Sequence, residues 1–135
     1  MAFVRWDDAL SVNVNIIDEQ HKGLIVLIDD LFHAMSSGQA KAIMSGILSE
    51  LAEYTVEHFG TEEKMMLKLN YPGYDEHKKQ HKEFVAKVTE FITEFDAGRS
   101  FVSIKVLQFL KDWLVEHIMG TDQKLGDFLE QKGVK

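Results

Sequence analysis

Residues 43–69 read IMSGILSELAEYTVEHFGTEEKMMLKL, and this stretch decides the fold. Its apolar residues recur every three or four positions, which is the spacing of one face of an α-helix. The predicted stripe consists of Ile43, Ile47, Leu51, Tyr54, His58, Glu62, Met65 and Leu69. We expect this helix to run from Gln39 to Leu69, because Asn70-Tyr71-Pro72-Gly73 predicts a turn. Two members of the stripe, His58 and Glu62, are polar and lie four residues apart, hence side by side on the helix.

Three further stretches show the same spacing. The other predicted helices run from Asp18 to Ser36, from Tyr74 to the stop at Ala97-Gly98, and from about Phe101 to His117, followed by a short helix from Gln123 to Glu130. Their stripes are His21, Leu24, Ile28, Leu31 and Met35; His77, His81, Phe84, Val88, Phe91 and Phe95; and Val106, Leu110, Trp113, Leu114 and His117.

Four stripes of similar length with short connections predict an all-α fold, an antiparallel up-down-up-down four-helix bundle with an extended N-terminal arm. The arm comprises residues 1–17, where Val12, Val14 and Ile16 alternate with polar neighbours and are expected to lie across the bundle. The bundle comprises residues 18–135. A length of 135 residues suits one domain.

Charge and composition exclude several classes of partner. The chain has 15 basic and 22 acidic residues, a net charge of −7, and its basic residues form no cluster. Nucleic acids need a basic face and anionic membranes attract basic segments, so we expect neither partner. The longest aliphatic run, Leu24 to Ile28, is far below the roughly 20 residues that span a bilayer, so we expect no membrane insertion.

The N-terminus and the absence of cysteine bound the location and the metal chemistry. Acids at Asp7 and Asp8 stand where a signal peptide needs apolar residues, so we expect a cytoplasmic protein. The chain contains no cysteine, which removes disulfides, iron–sulfur clusters and thiolate-bound zinc. Any metal must therefore be bound by nitrogen and oxygen.

Each helix carries polar, metal-competent residues in line with its apolar stripe. They are His21, His58, Glu62, His77, His81 and His117, and in an antiparallel bundle they fall near one end. A lone core histidine is more often a hydrogen-bonded residue than a ligand. Several buried polar groups without partners would each cost about 1–3 kcal/mol, too much against a total stability of roughly 5–15 kcal/mol. Five histidines in register on four helices therefore favour a metal site.

Helical phase separates these candidates from bystanders. At roughly 100° per residue, His33 lies about 120° from His21, and we expect it at the surface. Glu57 and Glu63 lie about 100° from their neighbours in the stripe and are expected to be solvated charges.

Asp122 is the member of the set that helical spacing alone does not place at the site. It follows His117 by five residues, about 140° around an α-helix, so both can reach one site only if the helix is broken or widened near Gly120. Alternatively, Asp122 or Thr121 caps the terminal helix.

Four segments together resemble the hemerythrin family over essentially the whole chain. They are Ile17-Asp18-Glu19-Gln20-His21, His58-Phe59-Gly60-Thr61-Glu62-Glu63, His77-Lys78-Lys79-Gln80-His81 and His117-Ile118-Met119-Gly120-Thr121-Asp122, preceded by an arm that contains Trp6. Each segment alone is a weak signal, whereas all four in this order are specific. The long connection from Tyr71 to Asp75 and the break at Gly120 are similar to the bacterial branch, whose domains occur as free proteins and as modules of chemotaxis receptors.

The resemblance implies a non-haem di-iron site. It implies that one iron is bound by His77, His81 and His117, the other by His21 and His58, and that Glu62 and Asp122 bridge the two, together with an oxo or hydroxo group. Two octahedral irons offer about 12 coordination positions, and this ligand set leaves one position open, on the iron with two histidines. The family's chemistry implies that dioxygen is the ligand there. Leu114 and Ile118 are the expected apolar wall of an oxygen pocket, with Trp113 and Phe59 in support, although ordinary core packing explains the latter two equally well.

The expected function is reversible dioxygen binding for oxygen sensing and signalling, or for storage and delivery. The alternative is a di-iron oxidase or peroxidase, but such ferritin-like sites use Glu-x-x-His motifs, which this chain lacks. We therefore expect no enzyme beyond weak peroxidase or oxidase side activity. A zinc or purely structural metal site is disfavoured, because seven ligand candidates exceed a tetrahedral set. A sensor would have a signalling module attached in the full-length protein, with the N-terminal arm as the element that oxygen binding biases.

Overall fold

Apart from short loops, turns and most of the N-terminal arm, the described part of the chain is helical. The computed structural model describes residues 3–38, 41–98 and 104–135, and no strand occurs in these ranges. The elements are a 3-10 turn at Asp8–Leu10, α1 at Asn15–Ser36, α2 at Lys41–Lys68, α3 at Tyr74–Asp96, α4 at Ile104–His117, a π-helical turn at Ile118–Asp122 and α5 at Gln123–Gln131. The predicted starts of the second helix at Gln39 and of the fourth at Phe101 lie outside the described residues.

The four long helices pack as a bundle. α1 contacts both α2 and α4, and α2 contacts α3. Because the chain between consecutive helices is short, neighbouring helices run in opposite directions. The prediction of an all-α four-helix bundle is confirmed. None of the helices in the described ranges is long and apolar enough to cross a membrane.

The buried face of α2 differs from the predicted stripe in its first half. Ile43 is 50% exposed, whereas Met44 and Leu48 are buried. The predicted steps from Ile43 to Ile47 to Leu51 are all of four residues, which drift by about 40° each on an α-helix. The observed buried positions (Met44, Leu48, Leu51, Thr55, His58, Phe59, Glu62 and Met66) mix steps of three and four and so stay on one face.

The arm lies across the bundle as predicted for Val12 and Val14, which are buried, but not for Ile16, which is 49% exposed. α1 begins at Asn15, three residues earlier than predicted, so the inward position passes from Val14 to Ile17 under helical periodicity. Asp18 ties the arm to α1, because its carboxylate accepts hydrogen bonds from the Ser11 hydroxyl at 2.6 Å and from the Val12 amide at 2.9 Å.

Two apolar clusters enclose a polar layer. The larger one fills the long bundle. The smaller one consists of Val12, Val14, Ile17, Met66, Leu125 and Leu129. Between the clusters, His21 occupies the inward position on α1, Glu62 on α2 and Asp122 just before α5, all 0–1% exposed. The polar layer is therefore sealed by hydrocarbon on both sides.

Candidate metal centre

Seven polar side chains converge in this layer. His21 is supplied by α1, His58 and Glu62 by α2, His77 and His81 by α3, His117 by α4 and Asp122 by the π-helical turn, and none is more than 4% exposed. The structure thus brings together all seven of the predicted ligands. The phase argument for His33 also holds, since it is exposed and pairs with Asp29 at 3.3 Å on its own helix.

The π-helical turn explains how Asp122 reaches the site. A π-helical turn has i→i+5 hydrogen bonds, so it accommodates one more residue per turn than an α-helix. His117 Nε2 and Asp122 Oδ1, five residues apart, are consequently 3.1 Å from each other. Asp122 directly precedes α5, but its side chain makes no capping hydrogen bond there. The helix is therefore widened at this point, and the alternative that Asp122 caps the terminal helix is wrong.

The ligand atoms form two overlapping groups. One group contains Glu62, His77, His81, His117 and Asp122, and the other contains His21, His58, Glu62 and Asp122, with the atoms of each group within 4.8 Å of one another. Glu62 and Asp122 belong to both groups. A pair of cations sharing two carboxylates fits this overlap.

A cation would give a partner to most of the buried polar atoms of the layer. Nine of them make no hydrogen bond among the described residues: both ring nitrogens of His21 and His77, Nε2 of His58, and all four carboxylate oxygens of Glu62 and Asp122. They nevertheless crowd together, as shown by distances of 2.9 Å from His21 Nε2 to Asp122 Oδ2 and from His77 Nε2 to Asp122 Oδ1.

Orphaned buried polar groups cost about 1–3 kcal/mol each, so a set of this size would offset much of the roughly 5–15 kcal/mol that stabilises a domain. Imidazole nitrogens and carboxylate oxygens that face a common point are the ligand set of iron and similar transition metals. The residues fit a metal centre.

The lowered pKa values of two site histidines favour their neutral forms. Burial, reinforced by His21, lowers the pKa of His58 from 6.5 to about 3. Burial and then His77 lower the pKa of His81 to about 2. A neutral imidazole keeps the lone pair that a metal needs.

The two shared carboxylates differ. Burial and the neighbouring Asp122 raise the pKa of Glu62 well above its usual value. Burial alone would also raise the pKa of Asp122, but the close imidazole rings, His117 foremost, hold it well below its usual range. Two carboxylates in one dry site repel each other, and cations between them would remove that repulsion.

An outer layer of hydrogen bonds orients three of the five rings. His58 Nδ1 donates to Gln20 Oε1 at 2.7 Å, and the Gln20 amide donates to the Thr61 hydroxyl at 3.1 Å. Such partners fix the tautomer and the ring plane of a metal-binding histidine.

His117 and His81 have comparable partners. His117 Nδ1 donates to Gln80 Oε1 at 2.9 Å, and the Thr121 hydroxyl donates to the same oxygen at 2.7 Å. His81 Nδ1 donates to Glu63 Oε2 at 3.0 Å. The interpretation of Glu63 as a merely solvated charge is therefore wrong. The helical phase of Glu63 on α2 places it at the rim of the core, but the ring of His81 extends from α3 and contacts its carboxylate.

Sequence reasoning missed Gln20, Gln80 and their threonines. One signal was available: a Gln-His pair occurs in both α1 and α3, as Gln20-His21 and Gln80-His81. The glutamine of each pair serves a histidine on a neighbouring helix, which a pattern within one helix cannot indicate.

Each of the four predicted pocket residues lies within four residues of a candidate ligand in the sequence. Leu114 is 2% exposed and Ile118 is fully buried. Phe59 stacks on His81, with ring centroids 3.7 Å apart and planes at 3°. Trp113 stacks on His117 at 4.5 Å and 14°. Phe59 and Trp113 thus hold two rings in place by packing.

An apolar groove opens between α2 and α3. It has a volume of about 470 Å³, and its lining includes Val56, Phe59, Val85, His81 and Glu63. The Glu63–His81 hydrogen bond therefore borders solvent, and the Glu63 side chain is 23% exposed.

Comparisons with known proteins agree with this geometry. The family of the hemerythrin HHE cation-binding domain matches residues 12–129. A bacteriohemerythrin of Stenotrophomonas maltophilia (strain R551-3) is 35% identical over 127 residues, which cover 94% of this chain and 82% of the relative. A myohemerythrin of Riftia pachyptila is 34% identical over 119 residues, 88% of each chain. A crystal structure of wild-type hemerythrin is 31% identical, has a TM-score of 0.88, and is similar over 93% of this chain and 97% of that one.

Proposed function

This chain belongs to the hemerythrin HHE cation-binding family, and we propose that it binds dioxygen reversibly at a non-haem di-iron site. The observation that carries the proposal is the overlap of the two ligand groups at Glu62 and Asp122. A single metal in either group would leave the histidines of the other group without a metal.

The two groups divide the ligands between two irons. His77, His81 and His117 would bind one iron, His21 and His58 the other, and Glu62 and Asp122 would bridge them with an oxo or hydroxo group. Counted together with that bridging group, these residues would leave about one octahedral position open, on the iron bound by His21 and His58. When bound, the two irons supply two electrons and this open position for dioxygen.

The chain's own contribution is to keep the position dry. Leu114 and Ile118 belong to the larger apolar cluster, together with Leu24 and Phe59, which lie close to His21 and His58 in the chain. Aliphatic side chains at this place exclude water and offer no proton donor. The open position is thereby reserved for a small apolar molecule such as dioxygen.

Reversible binding separates this proposal from the alternative, a di-iron oxidase or peroxidase. The ferrous protein should develop a visible absorption band in air and lose it under vacuum over repeated cycles. His58→Ala should abolish the band, whereas His33→Ala, a surface histidine, should keep it. Irreversible bleaching with oxidation of an added reductant would instead support the enzyme.

The physiological role we propose is oxygen sensing, with storage or delivery as the competing role. The arm is connected to the site through α5, because Val12 packs against Gly126, four residues after Asp122. A sensor requires that oxygen biases a two-state element, and this contact offers a route to the arm. Limited proteolysis of the arm should differ between ferrous and oxygenated protein; equal cleavage would favour storage.

A further inference from the structure

The outer hydrogen bonds of the site differ in charge. Gln20 and Gln80 present neutral amide oxygens to His58 and His117. Glu63 presents a carboxylate to His81. The remaining two Nδ1 atoms, those of His21 and His77, make no hydrogen bond among the described residues. Of the five Nδ1 atoms, that of His81 is thus the one paired with an acidic side chain among the described residues.

The hydrogen bonds fix which ring nitrogen of His81 and of His117 carries the proton. A carboxylate only accepts, so His81 must donate from Nδ1 and keep the lone pair of Nε2 for a metal. The Gln80 oxygen accepts from both His117 and the Thr121 hydroxyl. The tautomer is therefore the same at His81 and His117, whereas the two partners differ in charge.

The charge alters the ligand strength of the ring. A carboxylate that accepts from Nδ1–H draws the proton towards itself, which makes Nε2 a stronger donor to a cation. A stronger donor stabilises the ferric state more than the ferrous state, because the ferric ion carries the higher charge. A neutral amide orients the ring without this effect.

We propose that Glu63 is a positioning and tuning residue that makes the iron bound by His77, His81 and His117 easier to oxidise than a neutral partner would. This inference rests on the proposed di-iron function. Glu63 lies in the groove between α2 and α3, whereas Gln20 and Gln80 are held by threonines. The tuning group is thus the one that borders solvent.

A reciprocal pair of variants tests the role of charge. Glu63→Gln keeps a hydrogen-bond acceptor but removes the charge, and Gln80→Glu adds a charge while still accepting from His117 and Thr121. Gln20 is less suitable, because its amide donates to Thr61, whose hydroxyl already donates to the Glu57 carbonyl. The measurement is the reduction potential of the iron-loaded protein in a mediated dithionite titration, with iron content and helical circular dichroism as controls.

We expect Glu63→Gln to shift the ferric–ferrous equilibrium about tenfold towards ferrous, which raises the reduction potential by roughly 59 mV for one electron. Tenfold is the lower end of the effect on a metal site when an outer-layer partner is lost. Gln80→Glu should shift the potential downward, and the double variant should return towards wild type. An unchanged potential in Glu63→Gln, or a shift that Gln80→Glu does not oppose, would overturn the inference. Neither result would affect iron stoichiometry or reversible oxygen binding, which test the proposed function separately.

Discussion

Gly126→Ala should destabilise the protein, although alanine is the better helix former. Gly126 lies in α5, and replacing glycine with alanine inside a helix ordinarily gains about 1 kcal/mol. Here, however, a Cβ atom would lie 2.6 Å from the Val12 carbonyl oxygen and 2.9 Å from Val12 Cβ. Backbone cannot move aside as a flexible side chain can, so the arm must shift.

The cost of that shift can be bounded. Overpacking of this kind costs about 1–3 kcal/mol, and displacement would also expose part of Val12 and Val14, which are 1% and 0% exposed and contribute about 1.5–3 kcal/mol each when fully buried. After subtraction of the helix-propensity gain, we expect a net loss of about 1–2 kcal/mol.

Gly46→Ala is the matched control. Gly46 lies within α2, and an added Cβ would meet no described atom within 4 Å. The substitution should therefore stabilise by about 0.5–1 kcal/mol. Urea midpoints of the two iron-loaded variants and the wild type, at equal iron content, measure both effects. Equal stabilisation by Gly126→Ala and Gly46→Ala would refute the close packing of the arm on α5.

Two further predictions concern the pocket and acid. Ile118→Asn should speed the conversion of the oxygenated to the ferric protein, because it admits water, whereas Met119→Asn, at a 55% exposed neighbour, should not; equal rates of absorbance decay would remove Ile118 from the pocket. Because the pKa values of His58 and His81 are lowered in the folded protein, both rings take up protons on unfolding below pH 6.5. Their contribution to the free energy of unfolding is therefore complete above pH 6.5 and is lost as the pH falls towards 3 and 2 respectively. The raised pKa of Glu62 acts in the opposite direction, but two histidines outweigh one carboxyl group, so the unfolding free energy of the metal-free chain should fall from pH 6 to pH 5; urea midpoints that are flat over this range would contradict it.

Helical periodicity predicts much of the fold and most of the candidate metal ligands. A histidine in line with leucines must point into the core, and the stripes place His21, His58 and His117 inward without any knowledge of their neighbours. The same rule fails at Asp122, because it assumes an undistorted α-helix. Gly120 marks the place where the helix can change, but a glycine alone does not distinguish a π-helical turn from a break.

Contacts between helices account for what periodicity could not predict. Glu63 points away from the centre of its own helix face, and only the position of α3 brings His81 within 3.0 Å of it. Gln20 and Gln80 likewise serve histidines on other helices. The shifted face of α2 has a similar origin: regular four-residue steps from Ile43 drift off the core, and which residues turn inward depends on the helices packed against them.

Metal stoichiometry tests the central claim most directly. The overlap of two ligand groups at Glu62 and Asp122 fits two cations in one buried layer. Elemental analysis of the protein reconstituted with ferrous iron without oxygen should find two irons per chain. One tightly bound metal per chain, such as a single zinc, would contradict the account.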